Sequence, residues 1–295
     1  MATRPHSSTR TIEPEPQSTH FDERSLATIA AALRRPRAQT CRAAGLATHT
    51  HAVLALYTAG EAVLDQRGRW RLTPGDVMLV PAGSAHRVEA TEALEYWGVA
   101  FCAPCLIADG CAELLAPFER VRAGASPVVH IPEARRPFLV SLLRELEELT
   151  HTSPRAVDAA VPRSVLTLVL HEVARATPPL ARSAVAREGG VVADALRYIE
   201  RNCLRPLTLR EVARAVRRAP AYVTTALSRA TGRSAVAWIV EGRMAEARRR
   251  LLQSDEHVDV IAERVGYADA THFIRMFRRM HGATPAAWRA MQLTR

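Results

Sequence analysis

The sequence predicts an α+β chain: an N-terminal antiparallel β-barrel with helices, then an all-α region of two helix-turn-helix subdomains joined by a long helix. Three observations carry this expectation. Between about Thr50 and Ala100, short apolar runs alternate with turn residues every eight to twelve positions or so, the rhythm of an antiparallel barrel or sandwich rather than a parallel sheet. After Pro132 the apolar period lengthens from that of strands to that of helices. The last hundred or so residues then carry the same helix-break-helix pattern twice.

Residues 1–24 are rich in Ser, Thr, Pro and charge and read as a mobile tail. The barrel is expected over 25–132. Its strands are Val53–Tyr57, Glu61–Asp65, Trp70–Leu72, Val77–Val80, Arg87–Ala90 and Leu94–Val99, with turns at Gly60, Arg67-Gly68, Pro74-Gly75 and Pro81-Ala82-Gly83. Residues 133–176 read as a helical pair. Phe138, Leu139, Leu142, Leu143, Leu146 and Leu149 recur at helical spacing, Pro154 breaks the run, and a second helix covers roughly Ala156 to Arg175. One helix is expected on the barrel and the other on a second subunit, which makes this pair the expected dimerisation element. Pro178-Pro179 and Gly189-Gly190 mark 177–190 as a linker, leaving 191–295 for the C-terminal domain.

In the first C-terminal unit, Thr208 followed by Glu211 forms a capping box for a scaffold helix whose apolar face holds Leu209, Val212, Ala213 and Val216. Pro220 opens the next helix. There Val223 and Leu227 face inward, while Thr224, Thr225, Ser228 and Arg229 are left outside. A long connector follows from about Ala235 to Leu252, with Arg248-Arg249-Arg250 expected to face out and Gly242 as a weak point. At 1.5 Å per residue a connector of about 16 to 18 residues spans roughly 25 Å, so that two reading helices can lie about 34 Å apart, one duplex turn. In the second unit Gly266 sits where a left-handed turn residue is needed, Tyr267 fills the space between helices, and Asp269 caps the reading helix. Phe273, Met276 and Phe277 anchor that helix, leaving Ala270, Thr271, Arg275 and Arg279 to project. Pro285 starts a terminal helix that lays Trp288 on the core.

Charge agrees with this division. The formal net charge is +10, and residues 191–295 hold 19 Arg against 10 Asp and Glu. The preceding 190 residues are almost neutral, so a polyanion contact is expected in the C-terminal third. Every basic side chain is Arg, which suits bidentate contact with guanine and phosphate, although a GC-rich genome also favours its codons. Five Cys without dense, even spacing argue against a disulfide scaffold. No run of roughly 18 apolar residues suggests a membrane span, and the start lacks the apolar stretch of a secretory signal. A cytoplasmic location is expected.

The C-terminal region, from about Val191 to Leu293, resembles the AraC/XylS family of bacterial transcription regulators. The likeness is most specific at Ile261-Ala262-Glu263-Arg264-Val265-Gly266-Tyr267, at Phe273 with Phe277, and at Gly282-Ala283-Thr284-Pro285 followed by Trp288-Arg289. It implies two helix-turn-helix subdomains on promoter DNA, with reading helices at Pro220–Ala230 and Ala270–Met280. Base-reading positions are then Ala221, Thr224, Thr225, Arg229, Ala270, Thr271, Arg275 and Arg279, with Arg217, Arg218 and Arg278 on phosphate. The chain departs from the family pattern in the first unit: Arg217 stands at a site usually small or Gly, Ala219 replaces the usual Ser cap, and Leu227 replaces an aromatic anchor.

In the N-terminal region, Gly75 to His86 looks like the second signature segment of a cupin, and Thr48-His49-Thr50-His51 resembles the start of the first. On a strand His49 and His51 share a face, and with His86 they form a candidate metal set. No Glu follows at the usual cupin interval. The expected effector pocket is His49, His51, Tyr57, His86 and Trp97. Cys102 and Cys105, with Cys111, are candidates for a redox pair or soft-metal site by their spacing alone.

The expected function is a sequence-specific DNA-binding transcription regulator, an effector-responsive activator rather than an enzyme. Its partners would be double-stranded promoter DNA, RNA polymerase, a small-molecule effector and a second copy of the chain, with no required cofactor. The alternatives are a cupin-type metal-dependent enzyme fused to a DNA-binding module, or a redox or thiophilic-metal sensor built on Cys102 and Cys105.

Overall fold

A computed structural model describes residues 29–35, 46–90, 94–152, 160–177 and 190–293. The expected tail at 1–24 lies outside the described residues, as do Cys41 and all of the expected linker except Thr177 and Gly190.

The strands are β1 (Ile29–Arg34), β2 (Ala52–Ala59), β3 (Ala62–Asp65), β4 (Arg69–Leu72), β5 (Asp76–Val80), β6 (Arg87–Ala90), β7 (Glu95–Phe101) and β8 (Val128–His130). They form two antiparallel sheets, a five-stranded one in the order β1-β7-β2-β5-β8 and a three-stranded one in the order β4-β3-β6. The expectation of a closed cupin-like barrel is therefore corrected. Closure requires every strand to have hydrogen-bonded neighbours on both sides. Here β1, β8, β4 and β6 are edges, and among the described residues no ladder joins the two sheets. Turn rhythm and period-2 patterning are shared by barrels and sandwiches, so strand spacing alone does not separate them.

Period 2 decides where each side chain goes. On β2, Leu54 and Leu56 point to one core while Val53, Ala55 and Tyr57 point to another. The same alternation sends Val77 and Leu79 one way and Met78 and Val80 the other on β5. The larger sheet is thus buried on both faces, which explains why its central strands read as continuous apolar runs. One face meets the small sheet through Leu64 and Leu72. The other is covered by α3 (Arg136–Thr152) and α4 (Ala160–Ala176) through Leu139, Leu143, Leu146, Leu166, Val169, Leu170 and Val173. Both helices therefore spend their main apolar stripe inside the chain. Phe138, Val161 and Leu168 remain exposed.

Between sheet and helices lie α1 (Ala103–Ala108) and α2 (Ala116–Arg122). The C-terminal region is α5 (Val191–Asn202), α6 (Leu209–Ala215), α7 (Pro220–Thr231), α8 (Ala235–Gln253), α9 (Val258–Arg264), α10 (Ala270–His281) and α11 (Pro285–Leu293). Helix α8 serves two cores. Its first half packs Ala235, Trp238 and Ile239 against Leu196, Ile199, Val212, Val223 and Leu227. Its second half packs Met244, Ala247 and Leu251 against Ile261, Val265, Phe273 and Phe277. At 1.5 Å per residue it is about 28 Å long. Burying each large apolar side chain in these cores contributes about 1.5–3 kcal/mol. Among the described residues no helix is long and apolar enough to cross a membrane.

The two regions are tied by charge. Arg122 on α2 is 4% exposed, and both its terminal nitrogens meet the carboxylate of Glu200 on α5 at 2.5 Å. Arg122 also donates to the Ala82 carbonyl at 3.2 Å. Arg197 pairs with Glu119, and Arg249 with Asp109 at 3.5 Å. Burial by itself would depress the Arg122 pKa, but the attraction of Glu200 more than offsets it, so the guanidinium titrates above its ordinary value.

Candidate nucleic-acid interface

Helix α6 begins as the sequence requires. Thr208 Oγ1 accepts from the Glu211 N–H, and Glu211 Oε2 accepts from the Thr208 N–H at 2.8 Å. The hydrogen bond from the Thr208 hydroxyl holds the Glu211 carboxyl below its usual range. The break after α6 turns on Arg217 at φ +53°, and the break after α9 turns on Gly266 at φ +87°. The hydrogen bonds match: Arg218 N–H donates to the Ala213 carbonyl, and Tyr267 N–H to that of Ala262. One turn is thus made twice, once with Gly and once with an Arg that carries the left-handed cost of about 1–2 kcal/mol.

The reading helices repeat at an offset that the scaffold helices do not share. The second break carries one more residue, which falls after Tyr267, a ring 5% exposed that stands where the first unit has Arg218. The Tyr267 ring sits 5.5 Å from Phe273, which lies 5.8 Å from Phe277, which in turn meets Trp288 edge-on at 5.9 Å. Arg243 of α8 lies over Tyr267 at 5.0 Å and donates to the carbonyls of Cys203 and Arg205. This staples the end of α5 to the second unit. The Arg205 carbonyl also passes so close to Gly266 that an added Cβ would meet it at 2.9 Å. In the first unit Val223 and Leu227 anchor α7 at 0% exposure, and Thr231 accepts from Trp238 Nε1 at 3.0 Å.

Both reading helices close on a left-handed glycine, Gly232 at φ +71° and Gly282 at φ +77°. Their starts differ. Asp269 accepts from the Thr271 N–H at 2.8 Å, and that bond holds its carboxyl below its usual range. Ala219 offers α7 no side-chain cap, and Pro220 supplies the fixed φ of the first turn instead.

The structure brings most of the expected contact residues onto two ridges. On α7, Ala221, Thr225 and Arg229 lie at steps of four and are exposed; Thr224 is half-buried beside them. On α10, Thr271, Arg275 and Arg279 occupy the matching positions and are exposed; Ala270 is half-buried. Arg217, Arg218 and Arg278 are exposed as well. Two exposed side chains were not assigned a role from sequence, Tyr222 and His272. They occupy equivalent positions in the duplication, and the repeat itself could have singled them out. Tyr222, with Ala226 and Ala230, lines a groove against Ser84, Ala85 and Arg122 of the sheet region, so α7 is the reading helix beside that region.

The Arg triplet of α8 does not face outward as expected. Arg248 is 6% exposed, and Arg249 and Arg250 both pair with Glu246, which is fully buried. An outward reading failed here because Glu246 and the sheet region convert a basic stretch into an internal ion-pair network.

The N-terminal candidates divide. His49, His51 and His86 are buried together: His49 stacks on His51 at 4.5 Å with the rings 11° from parallel, and His86 meets His49 at 4.9 Å. His49 Nδ1 donates to the His51 carbonyl at 2.9 Å. Stacked rings do not converge lone pairs on one point, and among the described residues no group of three or more His, Cys, Asp or Glu is arranged to hold a metal ion. Tyr57 and Trp97 are on opposite faces of the large sheet, Tyr57 against Tyr96 at 5.3 Å and Trp97 under the helices. Cys102 and Cys105 form a disulfide across the start of α1, and Cys111 is half-buried. Burial pushes the Cys203 thiol up to about 12.

Residues 33–160 match the AraC-like ligand binding domain, and residues 212–291 match a helix-turn-helix domain. The chain is 34% identical over 95 residues to the regulatory protein PocR of Salmonella typhimurium, covering 32% of this chain and 31% of that one. It is 27% identical over 151 residues to the uncharacterised HTH-type transcriptional regulator YisR of Bacillus subtilis, covering 50% of each. The matches thus span about a third to a half of these curated relatives. Among solved structures, the C-terminal domain of the response regulator AraT from Geobacillus stearothermophilus is 29% identical, covering 34% of this chain and 84% of that one, with a TM-score of 0.34. With a ligand-binding domain at one end, a helix-turn-helix domain at the other, and the duplicated unit between Thr208 and Trp288, the chain belongs to the AraC/XylS family.

Proposed function

We propose that this chain is a sequence-specific DNA-binding transcription regulator that responds to a small-molecule effector, not an enzyme. The observation that carries the reading is the pair of exposed ridges, Ala221/Thr225/Arg229 and Thr271/Arg275/Arg279, each backed by a buried anchor and both hung on one helix. Thr and Arg at these positions suit base edges in successive major grooves, and Arg217, Arg218 and Arg278 flank them for phosphate. Relatives whose names describe activators, such as NphR of a Rhodococcus species, favour activation, with RNA polymerase as a contact at the promoter. The exposed Phe138, Val161 and Leu168 support pairing of two copies through the α3–α4 layer. Separation of the two regions at 177–190 is part of the same reading.

The test is selection of bound duplexes from a random library, followed by two variants on the selected site. Arg275→Ala relaxes preference at one or two base pairs at a cost of about 1–3 kcal/mol. Arg218→Ala weakens all sequences alike and lowers the salt slope by about one. Equal effects of the two variants on specific and random duplex would defeat the division of roles, and no enrichment of any sequence would defeat the reading.

A further inference from the structure

Cys102 and Cys105 are joined across a sequence separation of 3, so their bond restrains the unfolded chain far less than a long-range bridge would. Its position is more telling than its contribution to stability. Cys102 follows the last residue of β7, and Cys105 stands in α1, the short helix between the sheet region and α8. Pro104, between the two cysteines in sequence, lies against α8: a Cβ added at Gly242 would come within 3.4 Å of it. At the other end of α1, Asp109 pairs with Arg249 of α8 at 3.5 Å and with Arg163 of α4 at 3.0 Å. The two sulfurs differ in access. Cys102 and Pro104 line a cleft of about 590 Å³ that is partly open to solvent, whereas Cys105 does not line it and is 4% exposed. Cys102 Sγ also accepts the Cys105 backbone N–H at 3.2 Å, a bond that favours the thiolate once the sulfurs part. Cys203 lines the same cleft, but burial pushes its thiol up to about 12, so it holds almost no thiolate near neutral pH and does not scramble the pair.

We propose that Cys102 and Cys105 are a reversible dithiol–disulfide site, exchanged with external dithiols and disulfides through the cleft, and that its state sets how α1 holds α8. The sulfur chemistry stands on its own, and its consequence for DNA rests on the regulator reading. In reduction, a thiolate of the external dithiol attacks Cys102 Sγ. The bond to Cys105 breaks, and its electron pair leaves on Cys105 Sγ, which takes up a proton. The reagent's second sulfur, as a thiolate, then attacks its own first sulfur in the mixed disulfide and releases Cys102 as a thiolate. The dithiol leaves as a cyclic disulfide, two electrons poorer, and oxidation by an external disulfide runs the same steps in reverse. Two unbonded sulfurs cannot approach as closely as two bonded ones, so reduction parts Cys102 from Cys105 and shifts Pro104 against Gly242. Helix α8 carries both helix-turn-helix cores, which gives that shift a path to the reading helices.

The test uses the full chain, equilibrated with mixtures of dithiothreitol and its cyclic disulfide, quenched with acid, alkylated and mapped by peptide mass. Cys102 and Cys105 are expected to gain alkyl groups together, as a two-electron pair, while circular dichroism shows the chain still folded. Two thiols that stay reduced in every mixture, or a bond that yields only after unfolding in urea, overturn the proposal. Single variants read the direction of attack. With excess oxidised glutathione, Cys105→Ser should form a mixed disulfide at Cys102 about tenfold or more faster than Cys102→Ser forms one at Cys105. Equal or reversed rates refute entry through the cleft. Amide exchange over 238–248 of α8 should differ between the reduced and oxidised parent, and identical exchange refutes the hold on α8. Operator affinity tests the DNA consequence separately. The two states of the parent should differ about fivefold or more on a selected operator, and Cys102→Ala with Cys105→Ala should not respond to dithiothreitol. Equal affinity of the two states refutes transmission to DNA, whereas failure to select any operator refutes the regulator reading and leaves the alkylation and exchange results to decide this site.

Discussion

Glu200→Gln removes the charge that lets Arg122 stay buried between the two regions. Both guanidinium nitrogens meet the Glu200 carboxylate at 2.5 Å, and the side chains are 4% and 9% exposed. With charge centres about 4 Å apart and an effective dielectric of about 20, the attraction is about 4 kcal/mol. Desolvation opposes formation of the pair, but it is not recovered when only one partner is removed, so the loss should be about 3–5 kcal/mol. Glu119, at 3.8 Å from Arg122, softens it slightly, since Glu119 is already engaged by Arg197. Replacing both residues, Arg122→Met with Glu200→Leu, leaves no charge stranded and should return stability to near that of the parent. Urea unfolding followed by circular dichroism on the parent, Glu200→Leu, Arg122→Met and the double variant closes the cycle. A coupling of about 2 kcal/mol or more is expected. Single effects that simply add would mean that the pair is not made in solution, and with it would go the rigid placement of α5 against α2.

Other outcomes follow from single sites. His281 is pushed down to about 4 by burial and by the Arg248 charge, so it is neutral in the folded chain and protonates more readily once unfolded. Its contribution to stability is complete above about pH 6.5 and is lost as the pH falls toward 4; discounted for partial exposure, this is about 1–2 kcal/mol. Stability against pH for the parent and His281→Gln should diverge in that window, and parallel curves would refute the assignment. Gly242→Ala places a Cβ at 2.7 Å from Cys203 Sγ and 3.4 Å from Pro104, so thermal unfolding should show a loss of about 1–3 kcal/mol despite the better helix former. A gain of about 1 kcal/mol would mean that the close approach is not real. Arg217→Gly relieves the left-handed strain and should raise stability by up to about 1 kcal/mol while weakening duplex binding at low salt. If both properties move the same way, Arg217 has been placed wrongly.

Much of the C-terminal domain is legible in the sequence because its signals are local. Thr208 with Glu211, Pro220, Gly266, Asp269 and the paired glycines Gly232 and Gly282 each act within a turn or two of their own position. The helical stripes of Val223/Leu227 and Phe273/Phe277 then separate buried from exposed faces, and the outward ridges follow by subtraction. What such signals do not carry is the partner across space. Strand period places Tyr57 and Trp97 on faces of a sheet, but only the pairing of β2 with β7 shows that those faces are opposite. Turn spacing likewise leaves open whether strands close on themselves, and the four edges that leave this sandwich open exist only in three dimensions.

The amino-acid order by itself determined the duplicated reading unit, its caps and its exposed ridges, because each depends on backbone conformation within a few residues. The tertiary structure alone decided the open pair of sheets, the inward turn of Arg248, Arg249 and Arg250, and the clasp of Arg122 on Glu200. A buried charge is tolerated only where a distant chain segment supplies its counter-ion or withholds it, and residues far apart in sequence meet that condition only after folding.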